Sequence, residues 1–193
     1  MISSILLAAG QSKRMLGENK LTKNIKGTPL IEYSLNNILK SSVNEIIIVL
    51  GYQSKIIEKL INKNNKIKLV FNPNFESGMA SSIKKGIKNL SKKTDSFFIS
   101  LGDMPSIKHA TYDHLIKSNK NKKIAVPVFK GQAGHPVLFP KSFVNKLLSI
   151  EGDYGAKKII EINKKEVFSL EVNDPGIIKD LDLLSDFENL KEI

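Results

Sequence analysis

Near its amino end the chain runs Ile5-Leu6-Leu7-Ala8-Ala9 into Gly10-Gln11-Ser12-Lys13-Arg14-Met15, with Lys20 close behind. A short apolar run that empties into small residues reads as a buried strand whose exit lets backbone N–H groups approach a ligand closely. Two cations, Arg14 and Lys20, stand behind that exit. Lys and Arg together number 30, yet Arg14 is the only Arg in the chain. Guanidinium is the better fork for phosphate oxygens, and an ammonium is an adjustable point charge. The pair has the chemistry of a triphosphate clamp; the plain alternative is a strand-to-helix turn with solvated charges. Two familiar nucleotide loops do not fit. Gly17-Glu18-Asn19-Lys20-Leu21 lacks the Gly-Lys-Ser/Thr ending of a P-loop, and Gly10 and Gly17 are too far apart for a dinucleotide fingerprint.

Asp103 lies in Gly102-Asp103-Met104-Pro105, a breaker cluster at the end of another apolar run. A carboxylate exposed beside a cationic phosphate site suits Mg²⁺, which binds through one or two carboxylates and the substrate's phosphates. A turn-forming Asp bonded to its own backbone is the simpler reading. A second carboxylate is expected from Asp180-Leu181-Asp182, whose two acids share one side of an extended segment. Asp182 is taken as the second metal ligand with Asp180 as the alternative, and Asp186 as a first-turn acid of a last short helix. His135, in Gly134-His135-Pro136, has no partner Cys, and His109 and His114 fall on a surface helix, so zinc is not expected. His135 reads either as an imidazole donor positioning a substrate or as a turn histidine satisfied by backbone. Gly152-Asp153-Tyr154-Gly155-Ala156 enters a helix, where N–H groups can hold an anion or Asp153 can serve as the cap.

The elements that must position these groups alternate. Strand-length runs at 2–8, 45–50, 67–71, 96–101 and 123–129 are interleaved with helical patterns at 29–39, 54–62, 79–90 and 108–118. This rhythm predicts a doubly wound, mostly parallel sheet in three layers, α/β/α. Beyond residue 129 come an irregular Gly-rich segment, a short strand at 137–139, helices near 141–149 and 154–162, and a strand at 166–172. In open sheets of this kind ligands bind outside the carboxyl ends of the strands, which brings Arg14, Lys20, the Gly78–Ser82 stretch and Asp103 to one crevice.

At 193 residues with 41% hydrophobic content the chain fits one domain with one core. The expected organisation is a nucleotide-binding half over about 1–105 and an acceptor-binding half over about 106–193. Without cysteine there is neither a disulfide framework nor a thiolate metal site. No basic leader precedes the first apolar run and no stretch reaches membrane-spanning length, so a soluble cytoplasmic protein is expected. The net charge of +11 is spread over Lys/Asn-rich loops without stacking aromatics or an Arg stripe, which argues against nucleic acid. It still attracts small polyanions.

Taken together, these motifs resemble the MobA-like NTP transferases that complete the molybdenum cofactor, within the Rossmann-like nucleotide-diphospho-sugar transferase type. The resemblance runs over nearly the whole chain. Leu7 to Met15 with Lys20 is similar to the nucleotide signature, Asn72-Pro73 with Gly78-Met79-Ala80-Ser81-Ser82 to the base and ribose stretch, and Gly102 to Pro105 to the metal turn. Gly134 to Leu138 and Gly152 to Ala156 look like the cytidylyltransferase branch, as does Ala9, where a Gly is typical of the GTP-using branch. Leu16 replaces a common Gly, and Leu183-Leu184 replaces a common Thr-Pro.

The resemblance implies transfer of CMP from CTP to the phosphate of a molybdopterin-type acceptor, with pyrophosphate released. It implies catalytic roles for Arg14, Lys20 and Asp103, and nucleotide contacts from Leu7, Ala8, Ala9, Gly10, Ser12, Arg14, Lys20, Asn72, Gly78 and Ser82. His135, Gly152 and Asp153 would meet the acceptor, and Mg²⁺ would sit on Asp103 with Asp182 or Asp180. A client molybdoenzyme or its chaperone is the expected protein partner. A GTP-dependent guanylyltransferase, a sugar- or alcohol-phosphate nucleotidyltransferase and a nucleotide-sensing module are the alternatives.

Overall fold

Short runs of Ile, Leu and Val bounded by breakers read as strands buried on both faces, and such strands form the centre of the molecule. The computed structural model describes residues 1–12 and 17–181. Arg14, Asp182, Asp186 and the expected last helix lie outside the described residues. In chain order the elements are β1 (Ile2–Ala8), β2 (Asn24–Ile25), β3 (Thr28–Pro29), α1 (Leu30–Lys40), β4 (Glu45–Leu50), α2 (Ser54–Leu60), β5 (Ile67–Phe71) and α3 (Met79–Ile87). There follow β6 (Ser96–Leu101), α4 (His109–Ser118), β7 (Ile124–Phe129), β8 (Gln132–Ala133), β9 (Val137–Pro140), α5 (Val144–Leu148), α6 (Lys157–Ile162) and β10 (Val167–Glu171).

The main sheet is ordered β10-β7-β9-β6-β1-β4-β5, with β8 paired to β7. β1 sits between β4 and β6, parallel to both, with Leu7 opposite Val49 on one side and Leu101 on the other. β9 breaks the parallel rule: it enters between β6 and β7 and runs antiparallel to both. The short β8 is likewise antiparallel to β7. The sheet is therefore mostly parallel with two reversed strands, and the expected α/β architecture holds.

Alternation along the strands divides the core in two. Leu6 and Ala8 of β1, with Ile46, Ile48 and Leu50 of β4, face the apolar sides of α1, α2 and α4. Ile5, Ile47 and Val49 face α3, α5 and α6. A buried Leu or Ile contributes roughly 1.5–3 kcal/mol by leaving water, so the packing on both faces holds the strand ends rigid. Gly86 of α3 is part of that packing, because a Cβ there would sit 2.3 Å from the Ile5 side chain. Helix boundaries differ modestly from the periodicity reading. Pro29 precedes α1 instead of sitting in its first turn, and a 3₁₀ turn at Lys141–Phe143 leads into α5. The β2–β3 hairpin turns on Lys26 and Gly27, both with positive φ, as a two-residue hairpin requires.

Candidate active site

The carboxyl ends of β1, β5 and β6 open into a cavity of about 510 Å³. Its wall takes in Leu7, Ala8, Ala9, Gly10 and Ser12 from the first strand and its exit, Gly78 and Ser82 beside α3, then Lys20, Asp103 and Asp153. Nearly all of the residues expected to contact nucleotide are thus brought together, and the size suits a small-molecule ligand. Gln11 and Met79, from the two stretches read as facing the crevice, also line it, and Leu21, Phe75, Glu76 and Leu101, which were not expected from the sequence, complete the wall. Gln11 donates to Glu76 at 3.1 Å, tying the β1 exit to the turn before α3.

Lys20 is delivered by a short 3₁₀ turn, Lys20–Thr22, whose cap is Asn19. The Asn19 side chain accepts from the Leu21 N–H at 3.0 Å and donates to the Tyr52 carbonyl at 3.2 Å, and the residue is almost fully buried. The Lys20 N–H donates in turn to Ser12 Oγ at 3.1 Å. Its ammonium lies 2.6 Å from Asp103 Oδ2, with both side chains largely shielded from solvent. Asp103 is fixed by its backbone on several sides. The Gly102 N–H donates to the Leu7 carbonyl at 3.1 Å, Ser34 Oγ of α1 donates to the Gly102 carbonyl at 2.9 Å, and the Leu181 N–H donates to the Asp103 carbonyl at 3.0 Å. Asn37, three residues after Ser34 on the same helix, donates to the Pro105 carbonyl at 3.1 Å. The last of the described chain therefore passes directly beside the Asp103 turn, with Asp180 on it.

Whether a divalent cation suits this place is decided by the donors. Asp103 Oδ1 is buried and has no hydrogen-bond partner among the described residues, while Oδ2 already holds a cationic group. A half-satisfied buried carboxylate on the wall of this cavity is the hard oxygen donor that Mg²⁺ or Mn²⁺ prefers. Among the described residues no three His, Cys, Asp or Glu side chains are grouped round one point. A cation there would depend on Asp103, with Asp180 close by, and on oxygens from the ligand.

The profile of the MobA-like NTP transferase domain matches residues 4–167. The chain belongs to this family. The curated molybdenum cofactor cytidylyltransferase of Escherichia coli strain K12 is 28% identical over 194 residues, covering 99% of this chain and 96% of its own. The purine catabolism protein PucB of Bacillus subtilis strain 168 is 25% identical over 97% of this chain and 94% of its own. Among solved structures, Rv0371c of Mycobacterium tuberculosis H37Rv superposes with a TM-score of 0.87 at 23% identity, over 98% and 96% of the two chains. A manganese complex of the same protein gives 0.82 at 21% identity, over 98% and 97%. The molecule is accordingly a nucleotidyltransferase-type enzyme with a Rossmann-like fold.

Other signature positions of this MobA-like enzyme have structural duties. Asn72 is buried and lies outside the main cavity; its amide donates to Ser81 Oγ and Ser82 Oγ at 2.9 and 3.0 Å, and its oxygen accepts from the Asn74 N–H. It knots the β5 exit to α3. Asp153 does not cap the helix that follows it, which begins only at Lys157. Instead its Oδ1 accepts from the Met79 N–H at 3.1 Å, and the Gly152 carbonyl accepts from the Ala80 N–H at 3.0 Å. The Gly152-Asp153 loop thus caps α3 from far along the chain, satisfying orphan donors of its first turn.

His135 precedes β9, and its N–H donates to the Ile177 carbonyl at 2.8 Å. Nδ1 is buried without a partner among the described residues. Burial depresses the imidazole pKa below its ordinary 6.5, outweighing the opposite pull of Asp103, the Ile99 backbone and Asp180. The ring is neutral at neutral pH, a state suited to holding a ligand by hydrogen bond and not by charge. As pH falls below about 6.5 the unfolded chain takes up this proton before the folded one, so stability falls with it. His135→Asn should flatten the decline in melting temperature between about pH 7.5 and 5. Parallel declines in the two proteins would contradict this.

Proposed function

We propose that this MobA-like enzyme transfers CMP from CTP to the phosphate of a molybdopterin-type acceptor and releases pyrophosphate. The observation that carries the reading is the cavity at the β1 exit, lined by small residues and by the Lys20–Asp103 pair. The near full-length likeness to the cytidylyltransferase of Escherichia coli supports the choice of nucleotide and acceptor. PucB, whose name points to purine catabolism, is a reminder that relatives of similar length carry different names.

In this reading the amides from Ala8 to Ser12 and the Lys20 ammonium hold the β- and γ-phosphates, and Arg14 adds a bidentate fork. Asp103, with Asp180 or Asp182, holds a divalent cation. Such a cation supplies charge neutralisation to the triphosphate oxygens when bound. An acceptor phosphate oxygen attacks the α-phosphorus, a new P–O–P bond forms, and the bond to the β-phosphate oxygen breaks to give pyrophosphate. A phosphate nucleophile is ionised at neutral pH, so the reaction rests on alignment and needs no general base. His135 and the Gly152-Asp153 loop are assigned to the acceptor, with His135 offering its neutral ring as a hydrogen-bond partner; of the three residues, Asp153 lines the cavity itself.

Base preference is assigned to the wall around Ala9. Ala9 lines the cavity, is only 5% exposed, and sits so close to Gly51 that a Cβ on Gly51 would lie 2.7 Å from the Ala9 methyl. The wall is therefore full, leaving less depth for a purine than a Gly at this position would. CTP should be preferred over GTP by about a hundredfold in kcat/KM, on the scale of a few kcal/mol. Direct competition of the two nucleotides with molybdopterin present is the test. A GTP preference would place the enzyme with the guanylyltransferases and refute the cytidylyl assignment.

A further inference from the structure

One side chain at the site has two incompatible attractions. The Lys20 ammonium is 2.6 Å from Asp103 Oδ2, inside the cavity and 14% exposed. The proposed chemistry needs that same ammonium on the phosphates of the nucleotide, and needs Asp103 for a divalent cation. A divalent cation and an ammonium cannot both sit closely on one carboxylate without strong like-charge repulsion, which is weakly screened where both groups are shielded. Meanwhile the other carboxylate oxygen, Oδ1, is buried and unmet among the described residues, so Asp103 is not fully satisfied by Lys20.

We infer that Lys20 is a built-in competitor of the divalent cation: it occupies Asp103 in the nucleotide-free enzyme and yields the carboxylate when phosphates draw it away. This inference rests on the reading of the cavity as a nucleotide and cation site. Its consequence is linkage. Whatever free energy the nucleotide gains from Lys20 is gained partly by releasing Asp103, so nucleotide and cation each strengthen the other's binding. The free enzyme resists loading with metal alone, and the cation enters with, or after, the triphosphate. Asn19 and Ser12 fix the backbone of the Lys20 turn through the Leu21 and Lys20 N–H groups, so the turn stays in place while the long Lys stem rotates.

The test uses Mn²⁺ alone as probe, titrated against the full nucleotide-free chain, with unbound Mn²⁺ read by electron paramagnetic resonance. Lys20→Met keeps the stem and removes the competitor, and should bind Mn²⁺ about tenfold or more tightly than wild type, the scale of one charge-assisted hydrogen bond. Lys20→Gln gives the same reading should the Met variant fold poorly. Lys20→Arg, which keeps the charge, should stay as weak as wild type, and Asp103→Asn added to Lys20→Met should abolish the gain. Mn²⁺ affinity no tighter in the folded Met or Gln variants than in wild type overturns the inference. Wild-type pyrophosphate release from CTP, measured alongside, separates the two levels. Normal turnover with no gain in Mn²⁺ affinity removes only the competition, whereas no turnover with any nucleoside triphosphate removes the catalytic reading beneath it.

Discussion

Asp103→Ala is expected to leave a folded protein whose rate of nucleotidyl transfer has fallen by about a thousandfold or more, the loss that follows removal of one well-placed charge-stabilising group. The backbone bonds that shape its turn come from Ser34, Leu7 and Leu181 and do not involve the carboxylate. One carboxylate oxygen has no hydrogen-bond partner among the described residues, so the bonding lost with the side chain is the Lys20 ion pair at the other. Circular dichroism should therefore keep its shape, while the melting temperature falls by several degrees, on the order of 1–3 kcal/mol. Pyrophosphate release is the functional measurement. Near-normal release by the folded variant at saturating Mg²⁺ would show that Asp103 holds nothing the reaction needs.

Gly78→Ala is expected to be nearly as damaging, through the backbone. Gly78 has φ 101° and ψ 172°, a region essentially reserved for glycine, where another residue costs on the order of 1–3 kcal/mol. A Cβ there would also lie 2.7 Å from Asp153 Oδ1 and from the Gly152 carbonyl oxygen. Those are the two acceptors that cap α3, so the methyl group would push away the Asp153 loop and the cavity wall together. Turnover should drop by about a hundredfold, and the melting temperature should fall by several degrees, a loss of about 1–3 kcal/mol. Wild-type kinetics in this variant would mean that the contact between Gly78 and the Asp153 loop has no bearing on the site.

What could be read from the sequence is what local physics determines. The short apolar runs at Glu45–Leu50, Ile67–Phe71 and Ser96–Leu101 are strands to the residue, because brief stretches rich in β-branched or aromatic residues and bounded by breakers favour the extended chain. Lys20 and Asp103 were placed in one crevice because both follow strand exits of a parallel sheet. Their direct ion pair was not legible, since it depends on the 3₁₀ turn that Asn19 caps, and a lone buried Asn gives no sequence signal for that role. The reversed direction of β9 escaped for a similar reason: four apolar residues after a Gly-rich segment say strand but not which way it pairs. The β2–β3 hairpin is two residues on each side, too short to show a period. Asp153 was read against its own neighbours, while the donors it satisfies lie 74 residues earlier. Such long-range capping belongs to tertiary structure alone.

The central claim, that this cavity joins a nucleotide to an acceptor phosphate, is tested most directly by following phosphorus through the reaction. Purified enzyme, Mg²⁺ and molybdopterin would be supplied with each of the four ribonucleoside triphosphates in turn and followed by ³¹P NMR. The account predicts pyrophosphate and a new P–O–P diphosphate product in equal amounts, fastest with CTP and dependent on the acceptor. Inorganic phosphate as the product, pyrophosphate formed without acceptor, or no turnover with any of the four nucleotides would contradict it.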